Sequence, residues 1–223
     1  TAGDDDGRAI AGNFMNNYPG SMGRSSSHGM ISCTTDQDLT DISDAIAWGD
    51  CNFRIYWDGD LCSEVLNSPG TAKEAKVEKP GVGRLFTSSG CNMNNDSKNN
   101  PCFQGDLIGD WREEIVVRCG TNVRVYTSGM STNYSLPSLW LDHQYRQAMV
   151  WQMMAYNQPP HLSYFLGESE GYTTAPPPYS MQDRTEIANG GTIDSSHNSK
   201  QIIACETNNM SISVEDGAAP WVF

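Results

Sequence analysis

The sequence lacks several features that would assign its class directly. None of its apolar runs approaches the roughly 18 residues that a membrane-spanning helix needs, so we expect no membrane span. Its cysteines form no C-x-x-C pair, which argues against a zinc ribbon. Basic residues are scarce, with 14 Lys and Arg against 27 Asp and Glu and a formal net charge of −13. Because nucleic-acid phosphates require Lys and Arg, this balance argues against a nucleic-acid partner and favours cation binding.

The first residues do not have the pattern of a leader. The first residues, TAGDDDGRAI, have neither the basic start nor the apolar core of a signal peptide. The last residues, SISVEDGAAPWVF, stop on an apolar, strand-like run without a visible terminator. We therefore expect both ends to be cuts, and the 223 residues to be joined to the rest of a parent polypeptide.

Cysteine is what the sequence has in excess, with seven residues. This content is typical of an extracellular, partly disulfide-bonded protein, and we expect the parent to be secreted. Cys91 and Cys102 flank the polar stretch CNMNNDSKNNPC, and we predict that they pair, which would contribute roughly 2–3 kcal/mol in the chain-entropy model. Three Asn-x-Ser/Thr sequons are candidate glycosylation sites, at Asn95, Asn133 and Asn209.

Short strand patterns separated by turn residues dominate the chain, and helical periodicity is nearly absent. FRIYWDGDLCSEVL predicts a hairpin with a two-residue turn at Asp58-Gly59, which would place Cys62 opposite Ile55. EEIVVRCGTNVRVYTS predicts a second hairpin around residues 120–122. Several short strands at regular spacing predict an all-β sandwich, barrel or propeller.

Three further segments include two apolar, strand-like runs and one charged stretch. The apolar runs QAMVWQMMAYN and LSYFLGE extend it, and the charges of KEAKVE, residues 73–78, indicate a solvated turn rather than a helix. The proline run TTAPPPYS cannot continue a strand and predicts that a domain ends there. We assign residues 1–180 to this domain, as the propeller blades. Residues 181–200 have the composition of a linker, and residues 201–223 resemble the start of a further β domain.

The motif GDLIGDWREEIVV, residues 105–117, has the pattern of a calcium loop. Asp106, Asp110 and Glu114 occupy positions 1, 5 and 9 of a tight loop that leads into a strand, and the carbonyl of Arg112 lies at the usual backbone position. Ile108 replaces the usual Asn or Asp, which weakens the site, and three solvated acids are the alternative. The start of the chain resembles a second such loop, with oxygen ligands from Asp4, Asp6 and Asn13 or, equally, a flexible acidic end.

Four blocks together resemble the calcium-dependent rhamnogalacturonan lyases of polysaccharide lyase family 11. They are NFRIYWDGDL, GDLIGDWREEIVVR, DHQYRQAMVWQ and AYNQPPHLSYFLG, in the family's order, and the likeness is densest over residues 103–167. The resemblance implies an eight-bladed β-propeller, of which this chain supplies the last three to four blades, followed by a truncated β-rich segment. The implied substrate is an acidic plant polysaccharide, rhamnogalacturonan, and the implied cofactor is Ca²⁺.

The resemblance also implies site residues. The family's Asn-Gly-Thr-Lys loop, which helps to hold the active-site calcium, reads Asn95-Asp96-Ser97-Lys98 here, with Lys98 facing substrate. Asn157 of the YNQPP motif joins the calcium and substrate site, and Arg8 corresponds to the arginine of the family's GRG motif. We assign Lys98 and Arg8 electrostatic roles in catalysis, because a lysine base would need a pKa far below its usual value of about 10.4.

Departures from the family leave a second function open. Asp96 replaces the family's glycine and, with Ser97, makes Asn95 a sequon, and a glycan there would be incompatible with a metal site. Leu141 and Met22 replace a family histidine and acid. The alternatives are therefore a catalytically inactive extracellular module that binds glycans or serves as structure, and an integrin-like adhesion propeller, which would not explain AYNQPPH. In every case we expect this stretch alone to be inactive, because a partial propeller exposes strand edges.

Overall fold

The computed structural model describes residues 8–25, 28–40, 53–68, 73–95, 99–152, 154 and 159–168. Antiparallel strands dominate these residues, and a short 3₁₀ turn at Leu139–Leu141 and helix α1 at His143–Trp151 follow the last strand. The strands are β1 (Ala9–Gly12), β2 (Met22–Ser25), β3 (Met30–Ser32), β4 (Phe53–Ile55), β5 (Glu64–Asn67), β6 (Glu74–Lys79), β7 (Gly83–Asn92), β8 (Phe103–Gly105), β9 (Glu114–Cys119) and β10 (Asn122–Tyr126). No helix of this described part is long and apolar enough to cross a membrane.

A three-stranded sheet opens the described chain. It is an antiparallel meander of β1, β2 and β3, in which Ile10 lies opposite Arg24 and Gly23 lies opposite Ile31. Apolar side chains from its inner face and from the following loops form one core, which contains Phe14, Met22, Met30 and Leu39.

The second sheet has seven strands in the order β10-β9-β7-β6-β5-β4, with β8 also paired to β9. Its first four strands in sequence, β4 to β7, form an antiparallel meander. The pair Asn92–Arg118 joins the end of β7 to β9, so the sheet continues without a break. Its core includes Phe53, Leu66 and Ile115. The all-β class is confirmed, whereas the propeller and the trailing β-rich segment stay predictions.

The two predicted hairpins form, but only one has the predicted turn. β9 and β10 pair around Gly120 and Thr121, with Cys119 opposite Asn122, and Gly120 takes the positive φ of 62° that this short turn requires. The turn at Asp58-Gly59 is wrong, because residues 56–63 all lie between β4 and β5. Ile55 therefore lies opposite Glu64, and Cys62 is part of the connecting loop.

Two segments differ from their expected secondary structure. Residues 74–79 form the buried strand β6 rather than a solvated turn, since Ala75 and Val77 alternate into the core. The apolar run that begins at Gln147 continues helix α1, in which Tyr145 and Met149 are buried one turn apart. Asp142 starts this helix by accepting a hydrogen bond from the Tyr145 amide at 3.3 Å.

The predicted Cys91–Cys102 disulfide is wrong in this structure, where Cys91 is bonded to Cys119. The sheet explains the pairing, because the neighbouring pair Asn92–Arg118 brings the ends of β7 and β9 together and leaves the two cysteine Cα atoms 4.3 Å apart. Cys102 is a free thiol and its sulfur accepts a hydrogen bond from Asn94 Nδ2 at 3.0 Å. The predicted linker and further β domain lie outside the described residues.

Candidate active site and cation sites

The polar loop after β7 is closed by its backbone. Asn94 and Asn100 exchange two backbone hydrogen bonds, of 2.6 and 3.0 Å, and the Asn99 amide donates to the Asn95 carbonyl at 2.8 Å. Asn95 has a φ of 58°, a left-handed conformation that Asn tolerates better than most residues. The loop is thus narrowed at its base without the predicted disulfide. Asn95 is exposed at its start, whereas its predicted partners Asp96, Ser97 and Lys98 lie outside the described residues.

The other residues carried over from the family lie at the edges of the described chain. Arg8 precedes β1 and is partly buried. Asn157 lies outside the described residues, two positions before Pro159. The segment that follows it is fixed to the second sheet by Arg54, whose Nη2 donates to the Pro160 carbonyl at 2.7 Å and whose Nε donates to His161 Nδ1 at 3.3 Å.

Arg54 belongs to a buried polar network that the sequence does not reveal. Glu113 Oε2 lies 3.9 Å from Arg54 Nη1 and accepts hydrogen bonds from the Tyr56 amide and from Gln104 Nε2, both at 3.0 Å. Glu113 Oε1 accepts the Tyr145 hydroxyl at 2.8 Å. Burial raises the pKa of Glu113, and the Arg54 charge opposes this shift. The network therefore ties β4, β8 and α1 to the segment that follows Asn157.

Asp106, the first residue of the predicted calcium loop, is fully buried. Its Oδ2 accepts hydrogen bonds from the Ser138 hydroxyl and the Leu139 amide, both at 2.8 Å. Its Oδ1 accepts no hydrogen bond from the described residues. Burial is the largest cause that raises the pKa of Asp106 to about 6.

Glu114, the last acid of this loop, is also buried and also has one carboxylate oxygen without a hydrogen-bond partner among the described residues. Its Oε2 accepts the amides of Leu107 at 2.7 Å and Ile108 at 3.2 Å, while its Oε1 is buried and has no partner among the described residues. Burial raises the pKa of Glu114 to about 8, and the Asp106 charge adds to the shift. Two buried carboxylates, each with one oxygen that accepts no hydrogen bond from the described residues, fit a cation such as Ca²⁺, which prefers oxygen ligands.

The middle acid of the loop is engaged elsewhere. Asp110 Oδ2 lies 2.6 Å from Arg112 Nη2, and Asp110 Oδ1 accepts the Arg112 amide at 3.0 Å. The structure therefore brings Asp106 and Glu114 together, with Asp110 turned to the Arg112 side chain.

A second acidic cluster was not expected from the sequence. Asp58, Asp60 and Glu64 place carboxylate oxygens within 4.8 Å of one another in the loop between β4 and β5. Lys79, at the end of β6, contacts all three. The signal was present as the W-D-G-D-L-C-S-E pattern, which resembles G-D-W-R-E-E in its spacing of Asp and Glu.

The remaining candidates have structural or untested roles. Asn13 Oδ1 accepts the Glu168 amide at 3.0 Å, and its Nδ2 donates to the Gly20 carbonyl at 2.9 Å, so this amide fastens the end of the described chain to the first sheet. Asp4 and Asp6 lie outside the described residues, as does the sequon residue Asn209. Asn133 is exposed, as glycosylation would require.

Comparisons with known proteins identify what this arrangement is similar to. The sequence profile described as Rhamnogalacturonan lyase family 11, C-terminal domain, matches residues 1–178. Two curated relatives come from Bacillus subtilis (strain 168). Rhamnogalacturonan endolyase YesW is 45% identical over 120 residues, which cover 52% of this chain and 19% of that protein. Rhamnogalacturonan exolyase YesX is 36% identical over 183 residues, which cover 74% and 29%.

Solved structures give the same result. A Bacillus licheniformis Rhamnogalacturonan Lyase PL11 superposes with a TM-score of 0.67 at 32% identity, over 78% of this chain and 29% of that chain. The crystal structure of YesW superposes with a TM-score of 0.64 at 35% identity, over 76% and 28%. The chain thus spans less than a third of the length of these relatives.

Proposed function

This chain belongs to rhamnogalacturonan lyase family 11, and from that membership we propose that it is the C-terminal part of a secreted, calcium-dependent lyase that cleaves the rhamnogalacturonan backbone of pectin by β-elimination. The observation that carries the proposal is the match of the family's C-terminal domain over residues 1–178. The activity is that of the parent protein, because this chain spans less than a third of its relatives.

The proposed fold of the parent is an eight-bladed propeller, to which this chain contributes the last three to four blades. The meander β4 to β7 supports this assignment, since four antiparallel strands are the unit of a propeller blade.

The proposed reaction removes the C5 proton of a galacturonate and breaks its C4–O bond. A base takes the C5 proton, a C4=C5 double bond forms, and the sugar attached at C4 leaves with the bridging oxygen, which takes up a proton. Neither water nor a redox partner is consumed. The C5 proton is weakly acidic, because the adjacent carboxylate already carries a negative charge. Positive charge placed at that carboxylate lowers the barrier by stabilising the charge that develops after proton removal.

Lys98 and Arg8 are the proposed sources of positive charge from this chain. We assign Lys98 to the uronate carboxylate; the described ends of its loop, Asn94 and Asn100, are joined by backbone hydrogen bonds. Asn157 is assigned to the calcium and substrate site. Arg54 is a positioning residue, because its bonds to Pro160 and His161 hold the chain just beyond Asn157.

One calcium ion, when bound at the substrate loop, would further neutralise the uronate carboxylate. A second would have a structural role elsewhere in the chain. At the substrate loop, we assign the ion to Asn95, Asp96, Ser97 and Asn157. For the structural ion, we assign Asp106 and Glu114, supported by the bare oxygens Asp106 Oδ1 and Glu114 Oε1. The proposed set also includes the carbonyl of Arg112 and the carboxylate of Asp110, which must exchange its pairing with the Arg112 side chain for the ion.

A direct assay tests the proposal. The parent protein is incubated with rhamnogalacturonan and calcium, and the ultraviolet absorbance of the unsaturated uronate product is followed. We expect a rise that EDTA abolishes and added calcium restores, and whose rate falls by about 10²-fold or more in Lys98→Met. Arg124→Met, at an exposed position on β10, is the matched control and should retain activity.

Two outcomes would contradict the proposal. Binding of the polysaccharide without product formation would identify an inactive glycan-binding module. A rise in absorbance that persists in EDTA would remove calcium from the mechanism while leaving the lyase assignment in place.

A further inference from the structure

Two loops of this chain share one hydrogen-bonding design. In the first, which we call the Lys79 loop (residues 57–64), Glu64 Oε2 accepts the amides seven and six residues earlier, at 2.8 and 3.4 Å. In the second, the bare loop (residues 106–114), Glu114 Oε2 accepts the amides seven and six residues earlier, at 2.7 and 3.2 Å. Each loop ends where its glutamate begins a strand, β5 or β9. The two loops are therefore structural counterparts.

A second bond confirms the correspondence. Asp60 Oδ1 accepts the amide two residues later at 2.9 Å, and Asp110 Oδ1 does the same at 3.0 Å. These aspartates each stand four residues before the loop's final glutamate. The counterparts therefore agree in the position of two acids and in three backbone bonds.

The loops differ in the hydrogen-bond partner of the glutamate's other oxygen, Oε1. Glu114 Oε1 is buried and accepts no hydrogen bond from the described residues. The equivalent atom, Glu64 Oε1, accepts Lys79 Nζ at 3.1 Å. The same ammonium contacts Asp60 Oδ2 at 2.6 Å and also contacts Asp58 Oδ2. All three donors of the ammonium thus have a carboxylate partner.

The Lys79 ammonium occupies the centre of the acidic cluster. The three acids place their oxygens within 4.8 Å of one another, and only 11% of the Lys79 side chain is exposed. Ca²⁺ bound by these oxygens would need to lie about 2.3–2.6 Å from them. The nitrogen already lies 2.6 and 3.1 Å from two of those oxygens, so the ion and the ammonium cannot share the cluster.

We propose that Lys79 is the built-in cation of the Lys79 loop, which takes the place of a divalent metal ion and makes this loop independent of calcium. The cluster of Asp58, Asp60 and Glu64 is then a latent divalent-cation site, closed by one side chain from β6. This inference stands apart from the proposed lyase activity and from the proposed ion at Glu114.

The test counts calcium ions bound per chain of the parent protein by equilibrium dialysis. Lys79→Met should bind one more ion than the wild type and should be stabilised against heat by calcium more than the wild type is. Lys79→Arg, which keeps the charge, should gain no ion. Arg84→Met is the matched control, because it removes another cation from the β6–β7 hairpin, one paired with Glu78 at 2.7 Å.

A second variant covers the case in which Lys79→Met folds poorly without metal. With Lys79 in place, Asp58→Asn should leave the number of bound calcium ions unchanged. A lost ion in Asp58→Asn would show that metal binds beside or instead of Lys79 and would overturn the inference, as would no gain in folded Lys79→Met. Glu114→Gln reports separately on the bare loop, so failure there leaves the Lys79 inference intact.

Discussion

The buried pair of Arg54 and Glu113 tests whether burial affects the coupling energy of an ion pair more than the distance between the charges does. The exposed fractions of the two side chains are 3% and 0%, and the nearest charged atoms are 3.9 Å apart. At that distance and an effective dielectric constant of about 20, the Coulomb attraction is about 4 kcal/mol. Glu113→Gln keeps the shape but leaves the Arg54 charge buried without a counter-ion. We expect the free energy of unfolding to fall by about 3–5 kcal/mol.

A double-mutant cycle isolates the pair. Arg54→Met should cost a similar amount, since it leaves the Glu113 carboxyl buried without its counter-ion, whereas the double variant should cost less than the sum because it removes both partners. We expect a coupling energy of about 2–4 kcal/mol, measured by urea unfolding of the parent protein. The reference cycle is Arg84→Met with Glu78→Gln, a pair 2.7 Å apart in which the Arg84 side chain is 43% exposed.

Distance and burial make opposite predictions for the two cycles. The Arg84–Glu78 pair is closer, but solvent screening should hold its coupling to about 1 kcal/mol or less. A larger coupling for the Arg84 pair than for the Arg54 pair would refute the reasoning. Additive effects of Arg54→Met and Glu113→Gln would also refute it.

Four further predictions concern single residues. Lys98→Met should lower turnover of rhamnogalacturonan by about 10²-fold or more, as expected for loss of one electrostatic donor. Glu114→Gln should lose one bound calcium ion in equilibrium dialysis. Cys119→Ser should lower the free energy of unfolding by about 3–4 kcal/mol, because the bond it breaks closes a 28-residue separation, while Cys102→Ser should not. Although His161 is exposed at the surface, partial desolvation and the Arg54 charge lower its pKa to about 4. Stability from neutral His161 is therefore present above the usual pKa of about 6.5 and is lost as pH falls through 4. As pH falls from about 7 to about 4, the free energy of unfolding should drop by about 1 kcal/mol less in His161→Gln than in the wild type, a value discounted for solvent screening.

Local patterns predicted the parts of the fold that local chemistry decides. The β9–β10 hairpin follows from alternation on both sides of Gly120, and its register needs no partner beyond the hairpin itself. The loop that ends at Glu114 was found for the same reason, because the spacing of acids within nine residues sets the hydrogen bonds that close it. The resemblance to the family likewise rested on four short blocks of contiguous sequence.

Contacts between segments distant in sequence determine the features that local patterns failed to predict, namely strand β6 and the partner of Cys91. Strand β6 looks like a solvated turn because its charges are visible in sequence, whereas the partners that bury Glu78 and Lys79 are Arg84 and the acids of the Lys79 loop. Cys91 pairs with Cys119 because of the β7–β9 contact, so the nearer Cys102 was favoured wrongly.

The nature of a cation site is the hardest of these properties to obtain from a motif. Both acidic loops carry carboxylates at suitable spacing, and both use a glutamate to bind the amides seven and six residues earlier. What distinguishes them is Lys79, which lies 15 positions after Glu64 and reaches it only because β6 pairs with β5. An acidic motif therefore specifies that positive charge is needed, while the neighbouring strand decides whether a side chain or a metal ion provides it.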